Sequence, residues 1–368
     1  MPELVSGIVK RAQKGGFILC DPSKVFGLGP VMVIVPSKVA QSCSLVQGAT
    51  VVANAEKGDR GGKIVKSIES VCGLSCEEFK KRKSYKNLTA ITPDERFRLS
   101  DSGQDSMRII DLIAPIGKGT RGLIIAPAKA GKTVMLEQIA NAIVEIEPGT
   151  RVIVLLIDER PEEVTMFRRA VKAEVFASTI DQSTDQQIEL AQLVLDNVLV
   201  DLECGKNVVV LIDSLTRMGR AFNRKGSGTG RTMSGGMEVG VLEIPRKFFG
   251  LARNVEGGGS VTIIATCLSH TGSRMDQLIF EEFKGTGNSE IVLDRQLAES
   301  RIFPAIDVGA SGTRKEECLY TKDEVGKLNM LRKVLSGYHS KDQIDALKKL
   351  LYRFKTNQEF LQSFSIGV

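Results

Sequence analysis

The stretch with the plainest chemistry runs Gly122-Leu-Ile-Ile-Ala126-Pro-Ala-Lys129-Ala-Gly131-Lys132-Thr133. The apolar run Leu123 to Ala126 reads as a buried strand. From Thr133 a helical pattern puts Met135, Ile139, Ala142, Ile143 and Ile146 on one face. The turn between them has the composition of a phosphate-binding loop. Small residues let successive backbone N–H groups converge on phosphate oxygens, and the helix N-terminus adds positive potential. Lys132 can reach the β- and γ-phosphates, and the Thr133 hydroxyl can ligate Mg²⁺. One position departs from the pattern G-x-x-x-x-G-K-[ST]: Ala126 stands for the first glycine. A chance Gly-Lys-Thr at a helix start is the alternative, and the flanking strand and helix favour a nucleotide site.

Two more apolar runs end in carboxylates. Val208 to Ile212 ends at Asp213-Ser214, where an acid beside a phosphate loop holds Mg²⁺ directly or through water. Val152 to Ile157 ends in Asp158-Glu159-Arg160-Pro161. Ligands of parallel sheets sit at the carboxyl ends of the strands, so Glu159 is the best-placed group to polarise an attacking water. Its competing role, a helix N-terminal charge, is already filled by Glu162 and Glu163. Two loops leave the same sheet. Residues 223–237 hold five glycines and no bulky aliphatic or aromatic side chain, and Thr271 to Asp276 follows the strand Val261 to Ala265. They read either as a pair gripping an anionic polymer or as two surface loops. Arg301 and Arg314 frame Phe303-Pro-Ala-Ile-Asp307. An arginine near a γ-phosphate stabilises transition-state charge, and surface ion pairs are the default alternative.

These groups need a scaffold, and the chain of 368 residues is long enough for two or three domains. Residues 1–79 read as five short strands separated by Gly, Pro and Asp turns, a small all-β barrel of OB or cold-shock type. Residues 80–106 read as a basic and polar linker. Residues 107–368 alternate strands with helices, an α/β pattern with a parallel sheet, and end in amphipathic helices. Thr184-x-x-Gln187 and Ser340-x-x-Gln343 match the capping box. Residues 1–86 hold 14 Lys/Arg against 7 Asp/Glu, so this part carries +7 of a net +6 and the remainder is about −1. Five of those cations lie between Lys80 and Lys86, and a basic tract suits an anionic partner or a solvated linker equally. Seven scattered cysteines and two histidines form no ligand cluster, so reduced thiols are expected. No apolar run spans a membrane and the first residues lack signal-peptide character, so a cytoplasmic protein is expected.

The blocks Asp111-Leu-Ile-Ala-Pro-Ile-Gly117, Ala126 through Thr133, Leu155-Leu-Ile-Asp-Glu-Arg-Pro-Glu-Glu163, Asp213-Ser214 with Thr216-Arg217, Glu281-Glu-Phe-Lys-Gly-Thr-Gly-Asn288, Phe303-Pro-Ala-Ile-Asp307 and Ser311-Gly-Thr-Arg-Lys-Glu316 are more specific. From about Asn87 to residue 320 the chain resembles the bacterial transcription termination factor Rho family, hexameric RNA-dependent ATPases and helicases. The resemblance implies a RecA-like P-loop NTPase core behind an OB-type barrel, with ATP and Mg²⁺ bound. Its partners would be single-stranded RNA, RNA polymerase and its transcription complex, and copies of itself in a homo-hexamer, with no membrane. It makes Lys129, Ala130, Gly131, Lys132, Thr133 and Val134 the phosphate loop, with Thr133 and Asp213 at the Mg²⁺. Glu159 would be the catalytic carboxylate and Arg160 would act near the nucleotide. Arg314 would be the arginine finger given to a neighbouring subunit, Arg301 an interface arginine beside the γ-phosphate, and Phe303 the ring near adenine. Arg231, Gly235, Gly236 and Arg274 would line the pore and hold RNA, with Arg274 where the family usually has lysine.

The N-terminal part departs from that family. The helical segment that usually precedes the barrel is expected to be missing. The RNA-reading strand, Lys14-Gly-Gly-Phe17-Ile-Leu19, keeps Phe17 as its one aromatic. Stacking contributes about 1–3 kcal/mol per base, so lost platforms weaken primary RNA binding by orders of magnitude. Two readings follow. One is an RNA translocase that terminates transcription. The other is a paralogue with an active ATPase and a weak or non-RNA-binding barrel, acting as a regulatory or scaffold component.

Overall fold

The structure, a computed structural model, describes residues 3–12, 15–21, 32–58, 62–226, 236–238 and 240–364. At the N-terminal end β1 (Glu3–Arg11), β2 (Phe17–Cys20), β3 (Val33–Val35), β4 (Thr50–Lys57) and β5 (Lys63–Val71) close into a barrel in the order β1-β2-β3-β5-β4. A short helix, α1 (Ser37–Ser42), bridges β3 and β4. Side chains alternate across a strand, and Val9, Val51, Ala53, Ala55 and Val65 form the fully buried inner set. Small alanines on β4 let so narrow a barrel close.

Strand parity bears on the place of Phe17. Phe17 pairs in register with Val35, and both pack against the barrel core with Leu19. Ile18 therefore takes the outward position, opposite Ile34, which in turn pairs with Ile64. Phe17 is half-buried against the barrel core, and an aliphatic row of Ile18, Ile34 and Ile64 lies on the opposite side of its strand. The inner face claims the aromatic because Leu19 and Val35 fix the register, and one residue of slip would expose both.

One correction concerns the thiols. Cys43, just after α1, and Cys76, the first residue of α2 (Cys76–Lys80), form a disulfide with a Cα–Cα separation of 4.7 Å. Cys20, Cys72, Cys204, Cys267 and Cys318 are free.

Residues 80–106 are tied down along their length. Arg82 pairs with Glu203, Tyr85 lies under Arg253, and the two-residue strand β6 (Ala90–Ile91) joins the main sheet. Phe97 and Leu99 are fully buried in the core that follows. Apolar side chains spaced among the charges account for this anchoring.

After α3 (Asp105–Ile113), strands and helices alternate: β7 (Arg121–Ala126), α4 (Lys132–Ile146), β8 (Arg151–Glu159), α5 (Pro161–Ala170), β9 (Glu174–Thr179), α6 (Thr184–Glu203), β10 (Asn207–Asp213), α7 (Leu215–Lys225), α8 (Glu243–Gly250), β11 (Arg253–Val255), β12 (Ser260–Leu268), α9 (Arg274–Phe283), β13 (Ser289–Val292), α10 (Arg295–Glu299) and β14 (Gly312–Thr313). The sheet runs β14-β13-β7-β12-β10-β8-β9, with β13 through β9 mutually parallel and β14 antiparallel at the edge. Continuous apolar strands follow from helices covering both faces. One face packs α3, α4 and the C-terminal helices α11 (Lys322–Leu335), α12 (Ser340–Leu351) and α13 (Asn357–Ser363); the other packs α6 to α9.

Helix α6 seats the barrel. Asn197 Nδ2 donates to Gly48 O at 2.7 Å and Thr50 Oγ1 at 3.0 Å, and Gln47 Nε2 donates to Asp196 Oδ2 at 2.6 Å. A Cβ at Gly48 would lie 2.4 Å from the Asp196 carbonyl carbon, so only glycine permits this approach. The capping box of α6 is Ser183 with Gln186, one residue earlier than the Thr184 expectation, and α12 begins after His339 with no side-chain cap. In both cases the preceding residue takes the extended backbone that a cap position requires.

Candidate active site and nucleic-acid loops

Strand β7 is central, between β12 and β13, and ends in the buried Ala126. Ala126 ends a regular strand and has no positive φ, so the missing glycine costs nothing there; the positive φ values fall at Lys129 (65°) and Gly131 (90°). Gly131 precedes α4 and offers no side-chain cap, which leaves the first N–H groups of α4 open toward a ligand. The Phe303 ring stands beside it, 3.7 Å from where a Gly131 Cβ would be. Phe303 is half-exposed, and Lys348 Nζ donates to its carbonyl at 3.0 Å.

Glu159 and Asp213 lie at the carboxyl ends of β8 and β10, two adjacent strands of the sheet. Asp213 is only 2% exposed and Oδ1 is shared between the Lys132 ammonium and Thr266 Oγ1, the latter at 2.9 Å. Lys132 and Asp213 thus form an ion pair directly under the start of α4. Glu159, 4% exposed, is held by Arg217 on α7: Nε lies 3.0 Å from Oε2 and Nη2 3.1 Å from Oε1. Burial pushes the Glu159 carboxyl up to about 8, Glu163 adds to the rise, the Arg217 guanidinium opposes it, and Asp213 raises it further. A carboxyl tuned into the neutral range beside a phosphate loop has the properties of a general base.

Arg217 and Thr266 carry no role in the sequence reading, although Arg217 stands in one of its specific blocks. Arg217 follows the Asp213-Ser214 turn, and Ser214 caps α7 by accepting from Arg217 N at 3.1 Å. That short helix start, which aims the residue back across the strand ends, was the available signal.

The remaining expected residues sit elsewhere. Arg160 precedes α5, is exposed, and lies 3.8 Å from Glu163. Arg301 is exposed with φ at 61°, and Arg314 is exposed with Nη1 3.5 Å from Gly285 O. Thr133 and Val134 open the first turn of α4, with Val134 exposed and Ala130 buried beneath. Among the described contacts none brings Arg160, Arg301 or Arg314 to Lys132, Asp213 or Glu159.

Of the two loops, Arg231 and Gly235 lie outside the described residues. Gly236 is at the neck, where Asn223 Nδ2 donates to its carbonyl at 3.2 Å and Asn223 Oδ1 accepts from Glu238 N at 3.0 Å. Arg274 is exposed at the first position of α9. The loop before it is braced by the buried Asp276, which accepts from Arg220 Nε at 2.8 Å and Thr271 Oγ1 at 2.7 Å. Helix α7 therefore carries Arg217 to the Glu159 carboxylate and Arg220, one turn on, to the second loop.

Residues 106–313 match the nucleotide-binding domain of the ATP synthase alpha/beta family. The chain is 46% identical to the transcription termination factor Rho of Aquifex aeolicus (strain VF5) over 98% of its own length and 84% of that relative's. The chain belongs to the Rho family. The Rho of Karelsulcia muelleri (strain SMDSEM) is 46% identical, covering 86% of this chain and 84% of the relative. That of Mycobacterium bovis is 50% identical, and the chain spans half of its length. A prototypical ATPase of a type III secretion system shares the fold at 24% identity, with a TM-score of 0.63 over 77% of this chain and 88% of that one. Rho membership and the nucleotide-binding fold make the chain an ATP-hydrolysing enzyme.

Proposed function

We propose that the chain is an ATP-driven RNA translocase that terminates transcription, moving along nascent RNA as a cytoplasmic ring of six copies and acting on the RNA polymerase complex. The observation that carries it is the meeting of Lys132, Asp213 and the uncharged-leaning Glu159 at the carboxyl edge of one sheet, joined by α7 to the loop braced through Asp276. Among the described residues no helix is long and apolar enough to cross a membrane.

Open N–H groups at the start of α4 and a buried acid beneath them fit a Mg²⁺-bound triphosphate. A magnesium ion in such a site takes part of its coordination from phosphate oxygens. The Thr133 hydroxyl and Asp213 would hold Mg²⁺, which supplies charge neutralisation at the β- and γ-phosphates. The backbone of Lys129 to Val134 cradles the phosphates, and Lys132 exchanges Asp213 for phosphate oxygen. Phe303 packs against the base, with Arg160 nearby. Glu159, aimed by Arg217, orients the attacking water and takes its proton. Arg314 and Arg301 reach the site of a neighbouring copy, and Arg231, Gly235, Gly236 and Arg274 hold RNA in the pore.

ATP turnover measured with and without poly(C) tests the reading. Strong stimulation by RNA, abolished in Glu159→Gln, is expected. Turnover indifferent to RNA, or unchanged in Glu159→Gln, overturns it.

A further inference from the structure

The residue before Glu159 is held with unusual care. Asp158 lies in the left-handed region at φ 58°, where a residue with a side chain persists only if its surroundings enforce it. The pairing of β8 with β9 also shifts between Leu156 and Glu159. An irregularity of this kind re-aims the side chains that follow it, and here it turns Glu159 toward the phosphate loop.

Arg217 Nη1 donates to Asp158 O and Asp158 N donates to Ser178 Oγ, and two further side chains hold the Asp158 carboxylate. Gln187, on the first turns of α6 and 1% exposed, donates Nε2 to Asp158 Oδ1 at 2.9 Å and to Thr179 O at 3.2 Å. Arg224, in the last turn of α7, places Nη2 3.2 Å from Asp158 Oδ1 and donates Nη1 to Oδ2 at 3.3 Å. Its Nη2 also donates to Gln187 Oε1 at 3.0 Å, which closes a triangle. The residue before Arg224 is Asn223, whose amide closes the neck of the glycine-rich loop.

We propose that Arg224 and Gln187 are positioning residues that, through Asp158, fix the aim of Glu159 and tie it to the loop neck at Asn223. This rests on the reading of Glu159 as the group that polarises the water. The Arg224 side chain is 47% exposed, and a half-exposed ion pair adds little to the stability of a fold. Its consequence is orientation: a displacement of about 1 Å at a reacting centre lowers turnover by up to about a hundredfold.

The test uses the full chain, with ATP turnover followed over a range of ATP at saturating poly(C), alongside the thermal midpoint. Arg224→Ala is expected to lower the RNA-stimulated kcat about tenfold or more while KM for ATP stays within about twofold. The midpoint should hold, Arg224→Lys should recover much of the rate, and Arg224→Ala should cost nothing further in an Asp158→Asn background. Wild-type kcat in Arg224→Ala, a rate that falls only with the midpoint, or losses that add in the double variant would overturn the proposal. Glu159→Gln separates the two ideas. Full turnover in that variant removes both, whereas an inactive Glu159→Gln with a normal Arg224→Ala removes only the positioning role.

Discussion

Arg217 donates Nη2 to Glu159 Oε1 at 3.1 Å, holds Nε 3.0 Å from Oε2 as an ion pair, and donates Nη1 to Asp158 O at 2.7 Å. One guanidinium thus fixes two consecutive residues at the end of β8. Removing it leaves a nearly buried carboxyl without its cation, and a lost charged hydrogen bond is worth about 1.5–3 kcal/mol. Arg217→Ala should cut kcat for ATP by about tenfold to a hundredfold, since each 1.4 kcal/mol is a factor of ten. Arg217→Lys should recover only part, because an ammonium cannot meet both oxygens side by side. Steady-state ATP turnover measures both, and a wild-type rate in Arg217→Ala would remove the orienting role.

The elevated carboxyl sets a pH dependence with a definite sign. A base works ionised, and burial holds Glu159 protonated until about pH 8 in the free enzyme. kcat/KM for ATP, which reports the free enzyme's groups, should therefore climb through neutrality and level off above about 8. Arg217 opposes the rise, so Arg217→Ala should push the inflection to higher pH. For stability, a folded value raised above the ordinary 4.5 means that stability is fully present below that value and is lost as pH rises to about 8. A flat kcat/KM profile from pH 6 to 9 would contradict the assignment.

Phe17 should behave as a core residue. It faces Val35 inside the barrel, so Phe17→Ala should destabilise by about 1–3 kcal/mol, the lower range because the ring is only partly buried. Phe17→Leu should be tolerated. Titration of oligo(C) into both variants, with thermal unfolding alongside, makes the check. A large loss of RNA affinity in Phe17→Leu at unchanged stability would restore the stacking role.

Local pattern carried the site's main chemistry because each part is continuous in the chain. The small residues of Ala126 to Thr133, the apolar runs ending in Glu159 and Asp213, and the turn spacing of residues 1–79 all stand in short windows. What escaped depends on partners far apart. Arg217 meets Glu159 across 58 positions, and Cys43 meets Cys76 across 33. The side of the strand that Phe17 takes follows from its register with Val35, and nothing within Lys14 to Leu19 states that register. The cap of α6 slipped by one residue because Ser183 and Thr184 are both good caps, and backbone geometry chose between them.

Arg314 offers a test of assembly. It is exposed, next to the edge strand β14, and among the described residues its guanidinium donates to Gly285 O at 3.5 Å. In the proposed function it acts on the γ-phosphate of a neighbouring copy. Arginine fingers are worth about 10³–10⁵ in kcat, so Arg314→Ala should be nearly inactive, as should Glu159→Gln. Rings mixed from the two variants contain interfaces at which an intact Glu159 faces an intact Arg314. If the arginine crosses between copies, mixing two inactive proteins should restore part of the ATP turnover, rising to a maximum near equal proportions. If each site uses its own Arg314, every site in the mixture stays defective and no activity returns.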